Sequence, residues 1–152
     1  MIHEKLQKIQ TTLKAPKNQR NNFGGYNYRS CEDILEALKP LLCEHKCSIT
    51  IEDKVECLGD QNYVHAVVTL TDWEDGSQVV TGAYARESET KKGMDVAQIT
   101  GATSSYARKY ALNGMFAIDD TKDADTTNNG KEESKPIRVS RRSRVNNDEC
   151  PF

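Results

Sequence analysis

No stretch of this 152-residue chain approaches the ~18 consecutive apolar residues of a membrane span. The N-terminal segment, Met1 to Gln10, lacks the basic-then-apolar layout of a secretory signal. An excess of one charge is missing too: 21 Lys and Arg face 23 Asp and Glu, and the net charge of −2 names no partner. Nine glycines and four prolines are too few for a collagen-like or linker composition. The five cysteines, Cys31, Cys43, Cys47, Cys57 and Cys150, are odd in number, which argues against a disulfide framework. Cys43, His45 and Cys47, with Cys57 ten residues on, match no common zinc spacing, so reduced thiols are expected. There is no phosphate-cradling loop, no G-x-G-x-x-G, and no His beside a Ser or Cys nucleophile in a recognisable motif. These absences point to a cytoplasmic protein that is not an enzyme and holds neither cofactor nor metal.

Large aliphatic residues are also scarce, and most of the shortage lies toward the C-terminus. Residues 1–125 read as one core unit, its acidic end formed by Asp119, Asp120, Asp123 and Asp125. Residues 126–152 cannot bury a core and read as a disordered tail, with a basic stretch at 138–144.

Within the core unit, Ile2, Leu6, Ile9 and Leu13 recur at helical spacing until Pro16 stops the pattern. Lys17 to Arg29 is rich in Asn and Gly and reads as a loop. Ser30 then caps a second helix, whose stripe is Ile34, Leu35, Leu38, Leu41 and Leu42 and which Pro40 should kink or split. Three alternating strand patterns follow, around 48–57, 64–70 and 78–87, with turns at Gly59-Asp60 and Asp75-Gly76. A last helix runs from Asp95, its N-cap, to Leu112, with Asn113-Gly114 as the stop. The expected fold is α+β in the order α-α-β-β-β-α: an antiparallel β-meander packed on helices, with one sheet face free to be polar.

Two long windows of the core unit carry cations and no acid. From Lys5 to Cys31 there are six cations, among them Lys14, Lys17, Arg20 and Arg29, with Phe23, Tyr26 and Tyr28 interleaved. Cations neutralise phosphates and rings stack on bases whatever their sequence, so this composition suits single-stranded nucleic acid. It equally suits a solvated loop whose aromatics fold back. The second window, Val96 to Ile118, carries Arg108 and Lys109, which are suited to phosphates. Tyr106 and Tyr110 share the apolar stripe with Val96, Ile99 and Thr103 and read as core. Gly101 in mid-helix suggests close approach to a DNA backbone, another subunit or the sheet. Arg86, Lys91 and Lys92 surround the strand–helix junction and either extend a basic groove or form a plain turn.

Two blocks resemble the ERF family, single-strand annealing proteins of bacteriophages. The first is Asn22-Phe23-Gly24-Gly25-Tyr26-Asn27-Tyr28-Arg29 followed by Glu32-Asp33-Ile34. The second is Gly93-Met94-Asp95, Gln98, Gly101 and Ser105 to Leu112, followed by the acidic residues from Asp119. The resemblance covers about residues 1–125, and Lys109 stands where the family often has Arg. It implies ATP-independent annealing of complementary DNA strands in phage recombination, in the bacterial cytoplasm, by a homo-oligomeric ring or filament. Such a protein must hold the sugar-phosphate backbone and leave base edges free to test a second strand. The DNA-binding candidates are Lys14, Lys17, Arg20, Tyr26, Tyr28, Arg29, Arg86, Lys91, Lys92, Arg108 and Lys109.

The alternatives are a module that binds single strands without annealing them, or a metal-dependent nuclease using Glu87, Asp95, Asp119 or Asp120. The chain ends in Asp148, Glu149, Cys150, Pro151 and Phe152, which resembles the acidic Pro-Phe tip of bacterial single-stranded DNA-binding proteins. That resemblance implies docking of host repair proteins, Phe152 entering an apolar pocket while Asp148 and Glu149 steer toward a basic rim.

Overall fold

A computed structural model describes residues 1–90 and 92–118. Lys91, the acidic segment from Asp119 and the whole tail, including the Pro-Phe tip, lie outside the described residues.

Helix α1 (Ile2–Thr12) buries Ile2 and Ile9 and leans Leu6 and Leu13 against the core, as its spacing predicts. The next segment is not the expected loop. Gln19–Asn21 (β1) and Tyr26–Tyr28 (β2) form an antiparallel hairpin with Gln19 opposite Tyr28. The Asn21 side-chain carbonyl accepts from the Phe23 and Gly24 N–H groups, both at 2.9 Å, and Gly25 takes a φ of +68°. The order is therefore α-β-β-α-β-β-β-α rather than α-α-β-β-β-α. Strands of three residues are too short to show an alternation, which is why composition alone gives a loop.

Helix α2 (Cys31–Glu44) starts at a capping box: Ser30 accepts from the Asp33 N–H while Asp33 accepts from the Ser30 N–H. It runs to Glu44 without the break expected at Pro40. Ile34, Leu38 and Leu42 carry the buried side, whereas Pro40 and Glu36, whose carbonyl loses its donor, are exposed to water.

The meander is as expected, a three-stranded antiparallel sheet of β3 (Cys47–Leu58), β4 (Gln61–Asp72) and β5 (Gln78–Arg86) in that order. Gly59 adopts a φ of +62° in the two-residue turn that joins β3 to β4. Val64, Ala66, Val68 and Leu70 line its buried face. The opposite face is largely polar, with Thr50, Glu52 and Lys54 exposed on β3 and a His65–Tyr84 stack beside them.

Helix α3 (Val96–Phe116) packs against β4 and β5. Asp95 and Gln98 form its capping box, as expected. It does not stop at Asn113-Gly114. Met115 and Phe116 are 4% and 1% exposed, and burying two large side chains outweighs the ~1 kcal/mol that Gly114 costs a helix. Ala117, left-handed at φ 51°, ends it. The residues facing the core are Ile99, Thr103, Ala107, Ala111 and Leu112. Small side chains at 103, 107 and 111 seat the helix close to the sheet, so the bulky flanking rings spill outward. Tyr106 and Tyr110 are 48% and 50% exposed and are not core. Gly101 has nothing within 4 Å of where a Cβ would stand, so the sheet is not what it approaches.

Two carboxylates interrupt apolar strand faces, and each recruits a cation from a helix. Asp72 continues the buried series of β4 and is 1% exposed. Lys5 of α1 donates to it at 2.5 Å and to Glu74 at 2.8 Å, and Lys46 also reaches Glu74, at 2.7 Å. Asp53 continues the Ile49–Ile51 series of β3 and meets Arg108 of α3. Among the described residues no helix is long and apolar enough to cross a membrane.

Candidate nucleic-acid interface

The two acid-free windows, some 70 residues apart in sequence, meet in space. A cavity of about 220 Å³ is lined by Tyr28, Arg29, Ser30, Cys31 and Glu32 from one window and its flank, and by Ala102, Ser105, Tyr106 and Lys109 from α3. Arg29 also lines a second cavity, of about 460 Å³, with Lys14, Pro16 and the end of α3. Ala102 and Tyr106 also line a third concavity, a groove of about 410 Å³ between β5 and α3 that includes Tyr84, Arg86 and Tyr110. Because neighbours share residues, the three form one path around α3. Lys14, Arg29, Lys109 and Arg86 line it, and Glu32 is its only carboxylate among the described residues.

Electrostatics within the path follow from this crowding. Burial lowers the pKa of the Lys109 ammonium, and the nearby cations Arg29 and Lys17 push the same way. The Lys109 Nζ lies over the Tyr106 and Tyr110 rings, 4.8 and 5.8 Å from their centroids. Arg29 is 4% exposed, so it presents its field and part of the cavity wall more than a group reaching into solvent. Burial lowers its pKa as well.

The remaining candidates are distributed differently. Arg20 and Tyr26 sit on the hairpin, where the Arg20 Nη1 donates to the Asn27 side chain at 3.1 Å and the Tyr26 and Tyr28 rings meet edge to face at 6.3 Å. Lys92 is exposed on the β5–α3 connection and lines none of the three concavities. Arg108 is committed to Asp53: its Nε lies 3.1 and 3.0 Å from the two carboxylate oxygens and its Nη2 lies 2.8 Å from Oδ2. Ser104, one turn earlier, donates to the same carboxylate at 2.5 Å. Burial opposes ionisation of Asp53, but these hydrogen bonds outweigh it and hold its pKa below the usual carboxylate range. The pairing leaves the Nη1 edge of Arg108 uncommitted to Asp53.

Composition did not single out Asp53, Ser104, Tyr84 or Tyr106 as site residues. A carboxylate in phase with Ile49 and Ile51 was the available signal, since a charge on an apolar face needs a partner. Of the nuclease candidates, Asp95 is spent on the α3 cap and Glu87 accepts from Thr100, while Asp119 and Asp120 lie outside the described residues.

The pair gives a test of its own. Asp53→Asn removes the charge that neutralises Arg108. The variant is expected to lose about 1 kcal/mol of stability, read from a urea midpoint. It is also expected to steepen the salt dependence of single-strand binding by ~0.7 in log–log slope as one more cation meets phosphate. An unchanged slope in the folded variant would keep Arg108 off the strand.

Fold and surface together define an α+β domain with a cation-lined, aromatic path around one long helix. The ERF superfamily model matches residues 2–149, and the chain belongs to that family. The match runs past residue 125, where the resemblance in the signature blocks ends. The chain is also 58% identical over 125 residues to the "Essential recombination function protein" of Salmonella phage P22, which covers 82% of this chain and 59% of that protein. The chain thus spans about three fifths of that relative's length. No solved structure matches it significantly.

Proposed function

We propose that this chain binds single-stranded DNA by its backbone along the path around α3 and anneals complementary strands without ATP, in phage homologous recombination. The observation that carries the reading is the segregation of charge. A chain with more acids than bases overall presents four cations and one carboxylate along three adjoining concavities. Phosphates supply most of the affinity of any sequence-independent binder, and they require such a surface. Lys14, Lys17, Arg29, Arg86 and Lys109 supply the field. Arg108, oriented by Asp53, offers its remaining N–H groups at the border. Arg20, Tyr26 and Tyr28 extend the surface onto the hairpin, and Lys92 extends it onto the β5–α3 connection. The name of the phage P22 relative supports a recombination role.

Annealing asks more than binding does. Two strands must be held with repulsion between their phosphates reduced and their Watson–Crick edges open. A homo-oligomer, ring or filament, would align many such paths along one strand. Host repair proteins docking on Asp148, Glu149, Pro151 and Phe152 would add partners through a segment outside the described residues. The decisive experiment mixes two labelled complementary oligonucleotides with the protein, without ATP. Duplex forming far faster than in its absence is the expected result. Tight binding of each strand with no acceleration would leave a protective module, and magnesium-dependent cleavage would make it a nuclease.

A further inference from the structure

We infer that the groove between β5 and α3 holds nucleobases of single-stranded DNA, stacked on Tyr106 and Tyr110. The inference rests on the reading that a strand follows the path around α3, and it adds a second kind of contact to it. Tyr84, Arg86, Ile99, Thr103, Tyr106 and Tyr110 line the groove, with no carboxylate among its lining residues. One cation beside the two phenol rings of α3 suits a flat, neutral, polarisable ligand tethered to a phosphate. Tyr106 and Tyr110 are neighbours one turn apart, their centroids 6.2 Å apart and their planes inclined by 30°. Both are half exposed although they sit beside the core-facing stripe of the helix. Lys109 holds its ammonium over both rings, and it lines the cavity on the other side of Tyr106 and not this groove. A cation over one face of a ring leaves the opposite face for a base.

The Tyr84 ring stays outside this stack, because its register opposite His65 turns it to the sheet face away from α3. Tyr84 stacks on His65 with centroids 4.0 Å apart and planes 7° from parallel. His65 in turn contacts Glu56 at 3.3 Å and lies over Gly82, where a Cβ would come within 2.6 Å of its Nε2. Stacking leaves the Watson–Crick edge untouched, so these contacts are compatible with annealing.

The test compares a mixed-sequence oligonucleotide with an abasic one of equal length, which keeps the phosphates and lacks the bases. The double variant Tyr106→Leu, Tyr110→Leu is expected to bind the intact strand more weakly by roughly tenfold or more, with affinity for the abasic strand unchanged. Tyr106→Phe with Tyr110→Phe keeps the rings and restores wild-type binding. Circular dichroism confirms that each variant folds. Equal loss on both strands, no loss on either, or a loss accompanied by a smaller assembly in light scattering overturns the base-stacking inference. If the wild-type protein binds neither strand, the underlying reading fails, and the inference fails with it.

Discussion

Replacing Lys17 and Lys109 together by glutamate is expected to weaken binding of every single-stranded sequence alike, by roughly two orders of magnitude at low salt, because each lost cation forgoes counterion release and each new anion repels the strand. The log–log salt dependence is expected to become shallower by ~0.7 per lost phosphate contact, about 1.4 for the pair. Lys109 is the better target than its neighbour. Arg108→Glu would set two carboxylates against each other at Asp53 and confuse binding with folding. Lys109, by contrast, faces Arg29, so a carboxylate there keeps a cationic neighbour even when Lys17 is replaced as well. Fluorescence anisotropy across a salt series reads both quantities. A loss that depends on sequence, or an unchanged slope, would remove these residues from the phosphate path.

The largest effect on stability is expected at Lys5. Its ammonium is the cation at Asp72, a carboxylate 1% exposed. Lys5→Met keeps the length of the side chain and strands that buried charge, which should lower the melting temperature on the order of 10 °C. The pH dependence has a definite sign. The hydrogen bond from Lys5, followed by one from the Glu74 N–H, holds the Asp72 pKa below its usual value. Lys46 and then Lys5 bring Glu74 down to about 2. Carboxylates depressed in the folded state contribute stability above their unfolded values near 4 and lose it as the pH falls through the folded ones. Lys5 itself is raised, by its hydrogen bonds to Asp72 and Glu74, so its contribution persists until the pH passes the ordinary lysine range. Melting temperature should therefore stay level through neutral pH and fall below about pH 4. The gap between wild type and Lys5→Met should narrow over that acid range. A gap of constant width would show that Lys5 stabilises by packing alone.

Much of the architecture was legible because it depends on local spacing. The stripe of α1, the cap at Ser30, the capping box at Asp95, and the alternation of β4 each follow from one period or one side-chain hydrogen bond. What was not legible depends on partners distant in sequence. Helix α3 passes Asn113-Gly114 because Met115 and Phe116 find the core. Tyr106 and Tyr110 leave the core because residues 103, 107 and 111 are small, and a helical wheel carries no side-chain volume. At the site, the two cationic windows were visible as composition, but nothing local tells that Arg29 is enclosed or that Arg108 is tied to Asp53. The one clue was shared by Asp53 and Asp72: a carboxylate in phase with an apolar strand face implies a cation arriving from elsewhere, without saying which.

The uninterrupted length of α3 sets a scale. The concavities touch the helix from Ile99 to Phe116 and beyond. At 1.5 Å per residue, those two residues are about 26 Å apart along the axis. A strand spaced as in B-form duplex, 3.4 Å per phosphate, passes that distance in about eight nucleotides, and a stretched strand in fewer. On the proposed reading the helix is a ruler for the footprint of one protomer. On that reading, lengthening an oligonucleotide past that footprint is expected to add affinity by engaging another copy of the chain, and the interval between steps in affinity measures the footprint of one helix.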